Sequence, residues 1–325
     1  MMQRPQMAPL IWLICIFLTA CSGGGGAMTN AGTPGSSEPM LYVTNSATDQ
    51  ILVFAGNASG DAAPVKLLLG NATKLSEPYN ISLDVSGRLY VGNTHLSTDG
   101  VTVYAAGAIG DAAPLQNIAG PSTGLSEACA VVTDASGDIY AVSNLSNSVD
   151  EFSPGANGDV APMASLKGAN TGFAYPSGIA LDGAGSMYVA VHDTDAIEVF
   201  PANATGDVKP TAAIAGSNTG LNGPEGLTIS GGKLYVANTN GNSVLVFSLN
   251  ATGNAAPTLN IGGPNTGLST PTQVAIAPNG NIYVANYNGN SVGIFAPAAN
   301  GDAAPLAEIK GPSTGFNFPE GIAFH

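Results

Sequence analysis

Charge is scarce in this chain of 325 residues: only 9% are Asp, Glu, Lys or Arg. A helix needs a solvated charged face, so helices contribute little here. Cations are scarcer still, 8 Lys and Arg against 22 Asp and Glu, for a formal net charge of −14. A surface of that sign repels phosphates, which excludes nucleic acid as the expected partner. Cysteine is limited to Cys15, Cys21 and Cys129. Only the last lies beyond the N-terminal region, so no disulfide framework staples the fold. Histidine is limited to His95, His192 and His325, which leaves few groups for acid–base chemistry near neutral pH. No serine-hydrolase elbow, phosphate-binding glycine loop or cysteine pair occurs.

Glycine and proline are plentiful, 43 and 22, and they punctuate a repeat. Tyr42, Tyr90, Tyr140, Tyr188, Tyr235 and Tyr283 recur at intervals of 48, 50, 48, 47 and 48 residues, each opening a short apolar run. Residues 224–261 serve as the specimen unit. They hold four β-prone runs, Gly226 to Ile229, Leu234 to Ala237, Val244 to Phe247 and Thr258 to Ile261. Gly231-Gly232 and Asn240-Gly241-Asn242 supply the positive φ of tight hairpins, so the first three runs form a meander. Pro257 precedes the last run, and a residue without an N–H belongs at a sheet edge.

Four-stranded antiparallel units repeated at this period predict an all-β fold, a β-propeller. The unit count comes from the ends. Leu41-Tyr42-Val43 is a second strand without a first, and Gly321-Ile322-Ala323-Phe324-His325 is a first strand without a second. Pairing the N- and C-terminal strands closes the ring at six blades and removes two free edges.

Ahead of this body, Arg4 precedes a fourteen-residue apolar stretch, Met7 to Ala20, the length of a signal-peptide core and short for a membrane span. It ends in Leu18-Thr19-Ala20-Cys21, which resembles a bacterial lipobox, with small residues before the cut and a cysteine whose thiol accepts a diacylglyceryl group. The expected organisation is a lipoprotein signal peptide at 1–20, a flexible Gly-, Ser- and Pro-rich tether at 21–40 and the propeller at 41–325. A membrane anchor at Cys21 places the body outside the cytoplasm in a bacterial cell envelope, at the outer membrane or cell surface. Ser22 after the cysteine suits the outer membrane.

The run Tyr42-Val43-Thr44-Asn45, and Pro224-Glu225-Gly226-Leu227 leading through Leu234-Tyr235-Val236-Ala237-Asn238 to Val244-Leu245-Val246-Phe247, resemble the NHL and YVTN repeat families across residues 41–325. The resemblance implies a propeller of bacterial envelopes or of interaction proteins. Related six-bladed folds include calcium-dependent gluconolactonases and arylesterases, and streptogramin lyases are similar repeats in seven blades. Shared fold is not shared chemistry.

Propeller ligands meet the channel mouth, where the innermost strands begin. That ring is Tyr79, Cys129, Ser177, Glu225, Thr272 and Glu320. Tyr79, Ser177, Glu225, Thr272 and Glu320 are the candidate binding residues, with the two carboxylates lining a wet channel. The alternative is a Ca²⁺ site shared by Glu225 and Glu320. In the gluconolactonase-like families acidic and Asn ligands occupy comparable positions, whereas the other members here are Tyr, Cys, Ser and Thr. The expected cofactor is therefore none, with Ca²⁺ as the alternative. His95 and His192 follow second strands on the same face, and His192 is the base a hydrolase or lyase would use; His325 falls on the closing strand. A second ring, Asp61, Asp111, Asp159, Asp207, Asn254 and Asp302, is read as Asx turns capped through their own backbone and not as calcium loops, since each offers one carboxylate at most.

The functional expectation is a membrane-tethered, extracytoplasmic recognition or scaffold module that binds a protein, peptide or glycan without catalysis. The alternative is a calcium-dependent lactonase-like hydrolase, or a lyase of the streptogramin type, with its site at the mouth. Lipidation is tested directly: Cys21→Ser releases the protein from the membrane fraction and removes the lipid mass from its N-terminus. Unchanged membrane association and mass would refute it.

Overall fold

The computed structural model describes residues 39–95 and 98–325; the expected signal peptide at 1–20, Cys21 and the expected tether up to residue 38 lie outside them. The body is a six-bladed propeller, each blade a four-stranded antiparallel sheet. Blade 1 joins Pro319–Phe324, as its innermost strand, to Met40–Asn45, Gln50–Ala55 and Lys66–Leu68. Blades 2 to 6 are continuous in sequence, with innermost strands Pro78–Leu83, Ala128–Thr133, Pro176–Leu181, Pro224–Ser230 and Pro271–Ile276. The specimen unit folds as read. Ser230 pairs with Lys233 across Gly231 and Gly232, whose φ values of 56° and 72° mark the left-handed turn.

Alternation along the strands explains why the runs are apolar throughout. Leu41 and Val43 pack toward blade 6, while Tyr42 between them packs toward blade 2. Both faces of every blade are covered by neighbours, so six hydrophobic clusters fill the six interfaces between blades. Closure follows the split-blade expectation, with Leu41 opposite Phe324, Tyr42 opposite Ala323 and Val43 opposite Ile322.

The ring of Asp61, Asp111, Asp159, Asp207, Asn254 and Asp302 corrects the Asx-turn reading. Each accepts a backbone N–H from a different blade, not from its own turn: Asp61 Oδ1 from Ser313 at 2.6 Å, Asp111 from Ala72 at 2.7 Å, Asn254 from Asn218 at 2.7 Å. In each case the acceptor sits on the loop between third and fourth strands and clasps the turn leaving the preceding blade. Beside each clasp the preceding glycine forms a parallel bridge, Gly60 with Ile309 and Gly110 with Leu68, which covers the outer edge of the neighbouring sheet. The clasped turn is opened by a glycine at φ of 120° to 139°, and a Cβ on Gly311 would stand 2.4 Å from Asp61 Oδ1. Repeats that look independent in sequence are therefore latched one to the next.

Removal of Pro319 to His325 tests the closure. It takes buried Ile322 and half-buried Phe324 from the interface and bares the edge of Met40–Asn45. At about 1.5–3 kcal/mol per buried side chain, the truncated protein unfolds or aggregates where the parent melts cooperatively. An unchanged melting temperature would refute the topology.

Candidate functional site

Every innermost strand carries a β-bulge at its mouth end. In blade 4 Pro176 pairs with Val191 and Gly178 with Ala190, leaving Ser177 without a partner. The same irregularity leaves out Cys129 and Thr272, and spans Tyr79 and Asn80, Glu225 and Gly226, and Glu320 and Gly321 in the other blades. A bulge re-aims the side chain it frees. All six predicted mouth residues are bulge residues, and the pocket between the strands is lined by Tyr79, Ser177, Thr272 and Glu320.

The channel is not the open, wet tube expected there. Tyr79, from blade 2, donates its phenol hydrogen to Glu225 Oε2 of blade 5 at 3.0 Å, across the axis. One layer deeper, Asn80 Nδ2 donates to Gln273 Oε1 at 3.2 Å. These two bars divide the channel. Between them remains a neck of about 10 Å³, room for one water-sized group. Beyond it, on the opposite face, a funnel of about 360 Å³ opens among the far ends of the innermost strands. Glycine lets the strands converge this far: a Cβ on Gly178 would stand 2.1 Å from the Glu225 carbonyl oxygen.

Burial governs the chemistry of the neck. Glu320 is 5% exposed, and its Oε2 has no hydrogen-bond partner, while Oε1 receives a long contact of 3.4 Å from Ser46 Oγ. Burial, reinforced by the Glu225 charge, holds its pKa well above the carboxylate range. Glu225 is partly accessible, and burial pushes it up to about 7 against the opposing pull of the Tyr79 hydrogen bond, the His192 charge and Thr239. Burial also raises the Cys129 thiol far out of the reactive range. Ser177 and Thr272 stitch neighbouring innermost strands, donating to the Pro224 and Glu320 carbonyls, each at 2.8 Å.

His192 lies near Glu225, as its charge effect shows, and both ring nitrogens are engaged: Nδ1 with Asp193 Oδ1 at 2.8 Å and Nε2 with Asn240 Nδ2 at 3.2 Å. An amide N–H can only donate, so in the neutral ring Nε2 is the acceptor and Nδ1 carries the proton. His95 occupies the corresponding loop of blade 2. His325 pairs its backbone with Met40 on the opposite face, away from the mouth.

Reading the sequence for the residue after each strand-opening Pro or Ala missed the residue before it. Glu77, Glu127, Tyr175, Gly223, Thr270 and Phe318 form an outer rim, all left-handed with φ between 47° and 59°. Only one is glycine, so the conformation is imposed. What imposes it is a side chain of the preceding blade. Asp49, Asp99, Asn147, Asp195, Asn242 and Asn290 each accept the rim residue's N–H at 2.7 to 3.0 Å, always 28 residues earlier in the chain. That constant offset is the sequence signal that would have revealed it. Tyr175 is 37% exposed and meets His192 edge to face at 5.8 Å, while Phe318 stacks on Tyr287 at 4.6 Å.

The NHL repeat family matches residues 221–247, the rim, innermost, second and third strands of blade 5. No curated protein matches the chain. Among solved structures, a chain of a nidogen/laminin complex superposes with a TM-score of 0.63 at 16% identity, over 88% of this chain and 98% of that one. A putative 6-phosphogluconolactonase from Bacteroides fragilis gives 0.59 at 16%, over 90% and 99%. A catalytically inactive virginiamycin B lyase from Staphylococcus aureus gives 0.52 at 15%, over 88% of each. At these identities the likeness is one of fold.

The raised acids make a signed prediction. A carboxyl whose folded pKa exceeds its unfolded value stabilises the fold while protonated and loses that contribution as pH rises through the folded pKa. Stability therefore falls between about pH 5 and pH 8 on account of Glu225 raised to about 7, with Glu320 extending the loss upward. Glu225→Gln with Glu320→Gln flattens this part of the urea-unfolding profile and is the more stable protein at pH 8. A double variant with the parent's pH slope would disprove the assignment.

Proposed function

We propose that this propeller is a recognition module whose ligand docks on the mouth face, held outside the cytoplasm by a lipid anchor at Cys21 in a bacterial envelope, and that it does not catalyse a reaction. One observation carries the reading: apart from the buried Glu320 Oε2, the polar groups of the mouth are engaged with one another. Tyr79 is bonded to Glu225, His192 to Asn240 and Asp193, and Ser177 and Thr272 to neighbouring carbonyls. A hydrolase or lyase needs a base with a free lone pair near its substrate. Recognition needs a fixed surface, and a rim clamped at every blade supplies one.

The direction of the chain fits the tethered arrangement. Met40 and Pro39 lie beside His325 and Gly56 at the end of blade 1 remote from Glu320. The chain therefore enters the propeller on the face opposite the mouth. The protein, peptide or glycan ligand then meets Tyr175, Tyr287 and Phe318, aromatic surfaces that stack on sugars or side chains at low entropic cost.

The second reading, a Ca²⁺-dependent lactonase-like or lyase-like enzyme, draws on the pair Glu225 and Glu320 and on the putative lactonase and the lyase among the structural neighbours. A Ca²⁺ ion takes six to eight oxygens, and among the described residues no cluster of three acidic, His or Cys groups is placed to hold a metal. Lactone and ester hydrolysis with added Ca²⁺ separates the two. No metal-dependent turnover above background is expected. Turnover that requires Ca²⁺ and disappears in the Glu225→Gln, Glu320→Gln double variant would install the enzyme.

A further inference from the structure

We infer that the neck of the mouth receives a primary ammonium group, a lysine side chain of a partner or a free alkylamine, through Glu320 and the oxygen atoms around it. The inference rests on the reading of the mouth as a recognition face and names the chemistry it recognises.

Donor and acceptor accounting in the neck leads to this guest. Asn80 Nδ2 donates to Gln273 Oε1, Gln273 Nε2 donates to the Leu227 and Val274 carbonyls, the Ser177 and Thr272 hydroxyls donate to the Pro224 and Glu320 backbone carbonyls, and the Tyr79 hydroxyl donates to the Glu225 carboxyl. What remains free is acceptor capacity: the hydroxyl lone pairs and, once Glu320 gives up its proton to solvent, its Oε2, buried without a partner. An unpartnered buried carboxyl oxygen is costly. An alkylammonium carries three donors and no acceptor, and its head is the size of the water that the space of about 10 Å³ admits. A cation there replaces the proton that burial keeps on Glu320.

The approach to the neck has the same sign. Loops between second and third strands, and the residues just ahead of the innermost strands, contribute Asp49, Glu77, Asp99, Glu127, Asp193 and Asp195, and contain no lysine or arginine. Lys167 and Lys310 stand where the chain leaves the outermost strands, and Lys74 closes the turn that follows the outermost strand of blade 1. Such a concentration of one sign draws cations toward the axis. The stem enters past Tyr79, whose bond to Glu225 opens to admit it, and the part of the guest outside the neck meets Tyr175 and the Tyr287–Phe318 stack on the rim, faces that favour a cation as well as methylenes. The small neck imposes selectivity: a guanidinium or a trimethylammonium is too large to reach Glu320.

Calorimetric titration with four probes tests this: butylamine, and otherwise identical acetylated peptides carrying lysine, trimethyl-lysine or arginine. Butylamine and the lysine peptide bind saturably, the other two at least tenfold more weakly, and Glu320→Gln lowers the affinity of both binders at least tenfold while its circular dichroism and melting show an intact fold. A stronger lysine peptide than butylamine assigns the source to a partner protein, and the reverse assigns it to a free amine. Equal binding of all three peptides, binding indifferent to Glu320→Gln, or Ca²⁺ alone held more tightly than any amine would each overturn the inference. If no amine binds but a glycan or acidic peptide does, and Tyr175→Ala with Tyr287→Ala abolishes it, the mouth reading stands and the ammonium inference falls.

Discussion

The structure depends on one geometric constraint: six twisted sheets must meet around an axis with no strand left unpaired at either chain end. Pairing Met40–Asn45 with Pro319–Phe324 satisfies it, and residues nearly 280 apart in the chain become neighbours. Every other feature is a consequence of carrying the same contact around the ring. Apolar residues face both ways along each strand because each blade has two neighbours, and the latch from Asp61 to Ser313 repeats at every blade boundary because each boundary has the same shape.

Convergence at the axis creates the site. Space there is so limited that glycines such as Gly178 and Gly226 directly follow the re-aimed side chain, where a Cβ would strike a neighbouring strand. The bulges turn one side chain per blade into what room is left, and opposite blades can then join, as Tyr79 and Glu225 do. A tyrosine that spans the axis, an amide pair beneath it and an acid buried beyond the reach of bulk water make a closed floor and not a conduit. Its acids stay protonated at pH values where exposed carboxyls have ionised, and a ligand that supplies hydrogen-bond donors recovers what burial has cost them.

Much of the motif vocabulary acquires a physical meaning in this setting. The asparagine that ends Tyr42-Val43-Thr44-Asn45 is fully buried, and its Oδ1 accepts the N–H of Asn317 at 2.7 Å in the turn that leads to the innermost strand of its own blade. Asn93, Asn238 and Asn286 do the same for Ser76, Asn222 and Ser269. Blade 4 has Val191 at this position and makes no such bond from its side chain. The repeat thus reads out as three sets of side-chain-to-backbone bonds, one fixing the turn before each innermost strand, one clamping the rim and one latching the periphery.

Blade number, strand order, the split blade and the points where the innermost strands begin were legible in the sequence because they depend on period, turn chemistry and the accounting of chain ends, all local or additive properties. The rim of left-handed residues was hidden for a physical reason: Glu77, Tyr175, Thr270 and Phe318 have no intrinsic preference for positive φ, and their conformation is set by an acceptor on another blade. The second acidic ring was misread on the same ground, since an aspartate after glycine looks like a cap for its own turn until the neighbouring blade is in place. Whether the channel is open, which acid is buried and which lone pair is free are decided by groups brought together from opposite sides of a ring. The chain alone determined how many blades would close; only their closure decided what faces what across the axis.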